Sequence, residues 1–119
     1  MSIFSRLFRK SYATVDGAAA RQIIAAGGVL VDVRTSAEWN AGHAPTATHI
    51  PLDQLDRKLS TLRADVPVVT VCRSGVRSGA AARQLALRGF EVSSVRGGMR
   101  AWQDAGGRVV AKNGREGTV

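Results

Sequence analysis

Val68, Val69, Thr70, Val71, Cys72, Arg73, Ser74, Gly75, Val76, Arg77, Ser78: within this stretch the chain passes from an apolar, β-branched run to a basic loop containing one glycine. Residues branched at Cβ suit a pleated, packed strand, and an unbroken apolar run suits one that is buried on both faces, as in a parallel sheet. Ser78 is the candidate cap of a helix that follows. Cys72, the only cysteine of the chain, therefore stands at the C-terminal end of a buried strand and directly before a helix. A thiol in that place meets backbone N–H groups and the positive end of the helix dipole, both of which favour the thiolate.

The loop strengthens this reading. If it curls around the sulfur, the N–H groups from Arg73 through Ser78 converge on it as an anion-binding nest, with Gly75 supplying backbone freedom that a side chain would forbid. Cysteines in such surroundings have a pKa lowered to ~3.5–7.5, so Cys72 would be largely ionised near neutral pH. Ser74 and Val76 fill the loop, while Arg73 and Arg77 add positive charge at its mouth, suited to an anionic substrate such as a thiosulfonate or a phosphate ester. The competing reading is an inert strand-end cysteine packed as a small hydrophobe.

Outward from this junction, helical and strand-like stretches alternate with short breaks, the pattern of an α/β domain with a parallel sheet. Thr14 or Asp16 caps a helix from Gly17 to Ala26, which Gly27 and Gly28 end before a strand at Val29–Val33. Thr35 or Ser36 caps a short helix containing Glu38 and Trp39. A short strand around Thr48–Ile50 stops at Pro51, and Asp53 opens a helix to about Leu62, with Leu55, Leu59 and Leu62 on one face. After the central strand, Val66–Val71, the helix beginning at Ser78 carries a small-residue face of Ala81, Ala82, Leu85 and Ala86 and ends at Gly89. A strand at Glu91–Val95 and a turn of helix around Met99–Asp104 complete a domain spanning residues 11–105. The glycine-rich, polar segment 106–119 reads as a flexible tail.

Composition bounds the remaining possibilities. The 119 residues suit one domain, and apolar residues at 45% with aromatics at only 5% call for a core of Ala, Val, Leu and Ile with few large anchors. One cysteine excludes an internal disulfide and no Cys/His cluster has metal-ligand spacing, so no metal or cofactor is expected and a reducing, cytoplasmic setting is the default. The net charge of +8 is scattered over Arg57, Lys58, Arg63, Arg83, Arg88, Arg100 and Arg108 without interleaved aromatics, which argues for anion attraction and solubility and against nucleic acid as a partner. Residues 1–10 form a basic amphipathic segment, too short to span a membrane and, split by Arg6, without the apolar core of a secretory signal. A monomer without stable membrane association is the expectation.

With these residues in place, the chain resembles a single-domain member of the rhodanese family of sulfurtransferases, from about Tyr12 to Trp102. The Cys72–Ser78 loop carries the resemblance together with Val31, Asp32, Val33, Arg34, Glu38, Trp39, Gly42, His43, Ala47, His49, Ile50 and Pro51, and with a closing signature of Gly97, Gly98, Met99, Ala101 and Trp102. The resemblance implies a three-layer α/β/α fold with a five-stranded, mainly parallel central sheet, and Cys72 at the sheet edge where open α/β folds bind ligands. It implies double displacement: Cys72 takes a sulfane sulfur from a small anionic donor such as thiosulfate, holds it as a persulfide, and yields it to cyanide or a thiol. That relay needs a low-pKa thiolate and a nest, but no second cysteine and no metal.

Two other functions compete. The first is phosphatase or arsenate reductase chemistry on the same fold: cell-cycle dual-specificity phosphatases place a cysteine and an arginine in this loop with one residue more between them, which widens the nest for a tetrahedral phosphate, whereas here only Arg73, Ser74, Gly75 and Val76 intervene. No acidic residue of the loop is placed to protonate a leaving alkoxide. The other competitor is a sulfur-relay module that passes sulfur to a protein partner with little free turnover. Asp32, beside Arg34 and Glu38, reads as a hydrogen-bonded clasp in preference to a general base, and Arg34 and Glu38, four apart, are a candidate pair. His43 is a weaker candidate for pairing with Cys72 than for a supporting role, and His49 reads as a partly buried strand residue. Trp39 and Trp102 read as packing anchors, Gly97 and Gly98 as a tight turn near the loop, and Arg77 either binds substrate or braces the loop.

Overall fold

In the computed structural model, which describes residues 11–119 so that segment 1–10 lies outside the described residues, the chain forms β1 (Ala13–Val15), α1 (Gly17–Ala25), β2 (Val29–Asp32), α2 (Ser36–Ala41), β3 (Thr48–His49), β4 (Val68–Val71), α3 (Val76–Leu87), β5 (Val92–Val95) and α4 (Gly98–Asp104). The strands make one sheet in the order β1-β5-β4-β2-β3, and every pair in it is parallel. β4 lies at the centre, with Val68–Val71 in register with Val29–Asp32 on one side and Val68–Thr70 with Val92–Ser94 on the other. Its residues are all buried, the outcome the β-branched run implies.

Because successive strand side chains alternate between faces, one strand feeds two cores. Val68 and Cys72 join Val31, Val33, Ile50, Ala81, Ala82 and Leu85 under α3, whereas Val69 and Val71 join Leu30, Ala20, Met99 and Trp102 under α1 and α4. The small-residue face of α3 lets that helix lie close to the sheet, and Ala81, Ala82 and Leu85 have no exposure at all. Asp16, not Thr14, caps α1 by accepting the Ala19 N–H at 2.7 Å, and Thr35, not Ser36, caps α2 in a reciprocal capping box with Glu38.

Three local expectations are corrected and one strand is added. The helix expected from Asp53 to Leu62 is two 3₁₀ segments, Leu52–Gln54 and Asp56–Thr61. Leu55 is buried and Leu59 and Leu62 pack against the core as their spacing implies. The backbone closes i to i−3 bonds such as Lys58 to Leu55, and Thr61 turns its hydroxyl onto the Lys58 carbonyl at 2.6 Å, competing with a regular helix. α3 begins at Val76 with Gly75 as its N-cap, so Ser78 stands inside the first turn and does not cap it. β1 is a three-residue edge strand, too short to show a periodicity. Finally, residues 106–119 are not a loose tail: Val110 and His43 exchange backbone bonds at 2.8 and 2.9 Å, Thr118 donates to the Ala41 carbonyl, and Val109 is buried in the core under α4.

Gly98 locks the sheet edge. Its φ of 62° lies in the left-handed region, and a Cβ there would run into the carbonyls of Cys72 and Arg73, while the next N–H, of Met99, donates to the Cys72 carbonyl at 2.8 Å. Gly98→Ala is therefore expected to cost about 1–3 kcal/mol from backbone strain alone and to displace the loop; a denaturant midpoint equal to that of the parent protein would contradict this.

Candidate active site

Cys72 follows the last residue of β4 and is fully buried. Gly75 turns the chain back over it with φ of 117°, a left-handed conformation open to glycine, and its N–H donates to the Cys72 Sγ at 3.0 Å. The Ser78 Oγ lies 3.5 Å from the same sulfur. Burial pushes the thiol pKa up, but the Ser78 hydroxyl and the N–H groups of Ser78, Gly75 and Ser74 outweigh it, so Cys72 sits below the ordinary thiol range. Of the N–H groups expected to converge on the sulfur from Arg73 through Ser78, that of Gly75 bonds it, and those of Ser74 and Ser78 add to the lowering of its pKa.

The two arginines of the loop differ in kind. Arg73 is exposed and, among the described residues, forms no ion pair. Arg77 is held in a bidentate pair with Glu38, Nη1 to Oε1 at 2.6 Å and Nη2 to Oε2 at 2.9 Å. The Arg77 guanidinium, aided by the Thr35 backbone and hydroxyl, holds the Glu38 carboxyl at about 2 against a desolvation that opposes it. The expected Arg34–Glu38 pair is thus replaced. Arg34 is buried and grips Asp32 instead, Nε to Oδ1 at 2.9 Å and Nη2 to Oδ2 at 2.7 Å, and also donates to the Gly42 carbonyl at 2.6 Å. A fully buried guanidinium needs a fully buried carboxylate, and the strand-end Asp32 supplies it; Glu38 is left for the loop. Asp32 accepts from the Arg34 backbone as well as from its side chain, without Glu38.

His43 is committed elsewhere: its Nδ1 donates to the Trp39 carbonyl at 2.7 Å and its ring stacks on Trp39 with centroids 3.8 Å apart. The His49 ring stacks against Trp39 as well, at 4.7 Å, and its Nε2 bonds the Arg34 carbonyl, so Trp39 is the anchor of a three-ring stack beside the clasp. Trp102 packs in the core under α4. An open groove of about 640 Å³ runs past Thr35, Ser36, Leu52, Gln54 and Gln84; Arg77 lines it and Cys72 does not. Two polar residues of the site escape a sequence reading: Thr70, whose hydroxyl donates to the Ser78 carbonyl at 2.8 Å, and Ser94, whose Oγ lies 2.8 Å from the Ser78 Oγ. The available signal for Ser94 is strand phase, since it stands two residues after the buried Val92 and therefore points to the same face.

Residues 16–105 match the family described as the Rhodanese-like domain. The chain belongs to the rhodanese-like family. It is 39% identical to a sulfurtransferase of Allochromatium vinosum over 72% of this chain and 81% of that protein, and 40% identical to the uncharacterized protein YqhL of Bacillus subtilis over 70% of this chain. The match spans 64% of the length of YqhL. Among solved structures, a rhodanese-related protein from Thermoplasma volcanium superposes with a TM-score of 0.77 at 30% identity, covering 85% of this chain and all of that one. In this rhodanese-like domain no helix among the described residues is long and apolar enough to cross a membrane.

The Glu38–Arg77 pair gives the domain an acid signature. Glu38 is depressed from 4.5 to about 2, so its contribution to stability is complete above its unfolded value and is lost as pH falls towards the folded one. In pH-dependent urea unfolding, the stability gap between the parent protein and Glu38→Gln is expected to be widest above pH 4.5 and to close towards about pH 2. A gap that stays constant over this range would contradict the linkage. With 34% of the Arg77 side chain exposed, solvent screens part of the effect.

Proposed function

We propose that the protein is a sulfurtransferase that carries a sulfane sulfur on Cys72. The observation behind this reading is a fully buried sulfur that accepts a backbone N–H from Gly75 at 3.0 Å and has further donors in Ser74 and Ser78. The first displacement joins the Cys72 thiolate to the outer sulfur of thiosulfate; the S–S bond of the donor breaks and sulfite leaves with its electron pair. The product is a Cys72 persulfide anion, and the donors of the loop are suited to hold its charge. In the second step cyanide or a thiolate attacks the outer sulfur and regenerates the Cys72 thiolate. Neither step consumes a proton at the sulfur, so the chemistry asks for a nest and not for a histidine base. A reducing compartment suits this unpaired thiol.

Arg77 speaks against phosphate-ester chemistry. Its guanidinium is engaged by Glu38, whereas a phosphoryl oxygen would need that guanidinium free. We assign Arg77 to bracing the loop against α2, and Arg73 to drawing anionic donors towards it. A protein acceptor, which would make the domain one station of a sulfur relay, uses the same Cys72 chemistry.

Incubation with thiosulfate is expected to add one sulfur atom to the intact mass, removable by cyanide, and Cys72→Ser is expected to abolish both the adduct and turnover while keeping the fold. Adduct formation in that variant would sink the mechanism. Arg73→Ala should raise KM for thiosulfate roughly two- to fivefold, in line with ~0.5–1 kcal/mol for an exposed charge, and leave KM for a neutral persulfide donor nearly unchanged. Equal effects on the two donors would remove Arg73 from donor recognition.

A further inference from the structure

Ser78 Oγ has one proton to donate and three neighbours: Cys72 Sγ at 3.5 Å, the Gly75 carbonyl at 3.2 Å and Ser94 Oγ at 2.8 Å. The direction of that one proton decides whether a charged sulfur gains a donor. The Gly75 carbonyl does not need it, because it already accepts the Gly79 N–H at 3.0 Å as the first bond of α3. Ser94 is the group that decides. Its side chain lies on β5 with 3% exposure, too buried to give its proton to bulk water, and its hydrogen-bond partner among the described residues is Ser78 Oγ. A buried hydroxyl left without an acceptor costs free energy, so Ser94 is held as the donor in this pair. Ser78 then accepts from Ser94 and its own proton is released towards Cys72.

We infer that Ser94 is a positioning residue of the site: by donating to Ser78 Oγ it turns the Ser78 hydroxyl onto the Cys72 sulfur, forming a directed chain from β5 through α3 to the end of β4. With a neutral thiol the chain can relax, since S–H can donate to Ser78 Oγ; with a thiolate or persulfide anion, the sulfur only accepts and the Ser94-to-Ser78-to-Cys72 direction is enforced. The chain deepens the reading of Cys72 as a sulfur carrier and rests on it. Other charges near the sulfur are Arg77, which is paired with Glu38 and whose charge is felt at the sulfur through space, Arg73 in the loop, and the Asp32–Arg34 pair, whose Asp32 also acts on Arg77.

The test reads the thiolate itself. The pH dependence of alkylation of Cys72 by iodoacetamide, in the full chain without any sulfur donor, gives the thiol pKa whether or not the protein turns over thiosulfate. Ser94→Ala is expected to raise that pKa by about half a unit to one unit, a three- to tenfold loss of thiolate below the pKa, and Ser78→Ala by at least as much. In the Ser78→Ala background, Ser94→Ala is expected to add nothing. Ser94→Thr, which keeps the hydroxyl, should return the parent profile. If Ser94→Ala folds poorly, Ser94→Thr against the isosteric Ser94→Val makes the same comparison with β-branched residues suited to a strand. A parent-like pKa in Ser94→Ala or Ser94→Val, equal shifts for Thr and Val, or a Ser94 effect that survives without Ser78 would each overturn the assignment. Failure of the persulfide adduct to form with these shifts intact would remove the sulfurtransferase reading and leave the hydroxyl chain standing.

Discussion

Burial alone would drive a sulfur with no solvent exposure towards the neutral thiol, yet Cys72 sits below the ordinary thiol range. The loop after β4 answers that burial. The donors that offset burial come from a loop in which Gly75 takes a left-handed turn, so that its N–H faces back to Cys72 at 3.0 Å. The turn is kept in place from the other side, where Gly98 allows α4 to start against the carbonyls of Cys72 and Arg73 and the Met99 N–H ties down the Cys72 carbonyl. Two glycines thus do opposite work, one aiming a donor and the other admitting a neighbouring backbone.

The two ion pairs of the site divide labour by burial. Asp32 and Arg34 are both inaccessible to water, and their bidentate contact together with the Gly42 carbonyl binds the end of β2 to the end of α2. Such a pair does little for net stability against an apolar substitute, but losing one member would strand the other charge, so it fixes a geometry. Glu38 and Arg77 are partly exposed and connect α2 to the first turn of α3, with the capping box of α2 holding Glu38 in position. Through this contact the carboxylate that caps one helix also orients the arginine of the loop. The C-terminal segment joins the same assembly, since its backbone pairs with Ala41 and His43 just after α2.

Much of this was legible in the sequence, where a residue's local pattern matches what its surroundings require. The apolar run of β4, the small-residue face of α3, the Leu55 stripe and the Gly97–Gly98 turn all behave as their spacing implies. Misreadings arise where two local solutions are close in energy. Ser78 has the chemistry of a cap, yet the freedom of Gly75 lets the helix start three residues earlier and moves that hydroxyl into the site. Arg34 and Glu38 have helix-pair spacing, yet each finds a better partner, because the burial of Arg34 demands a carboxylate with no exposure of its own. A glycine-rich polar tail looks free in one dimension and finds backbone partners in three.

By itself the sequence determined the α/β class, the position of the cysteine at a strand end and the short glycine-bearing loop that follows it, since these depend on residues close to one another along the chain. Only the tertiary structure decided which charges meet and where the hydroxyls point. Arg77 reaches Glu38 across 39 positions and Ser78 meets Ser94 across 16, and pairings at that distance follow from the order of parallel strands, not from any local preference. Charge and hydrogen-bond complementarity are settled by burial, and burial exists only once the sheet has assembled.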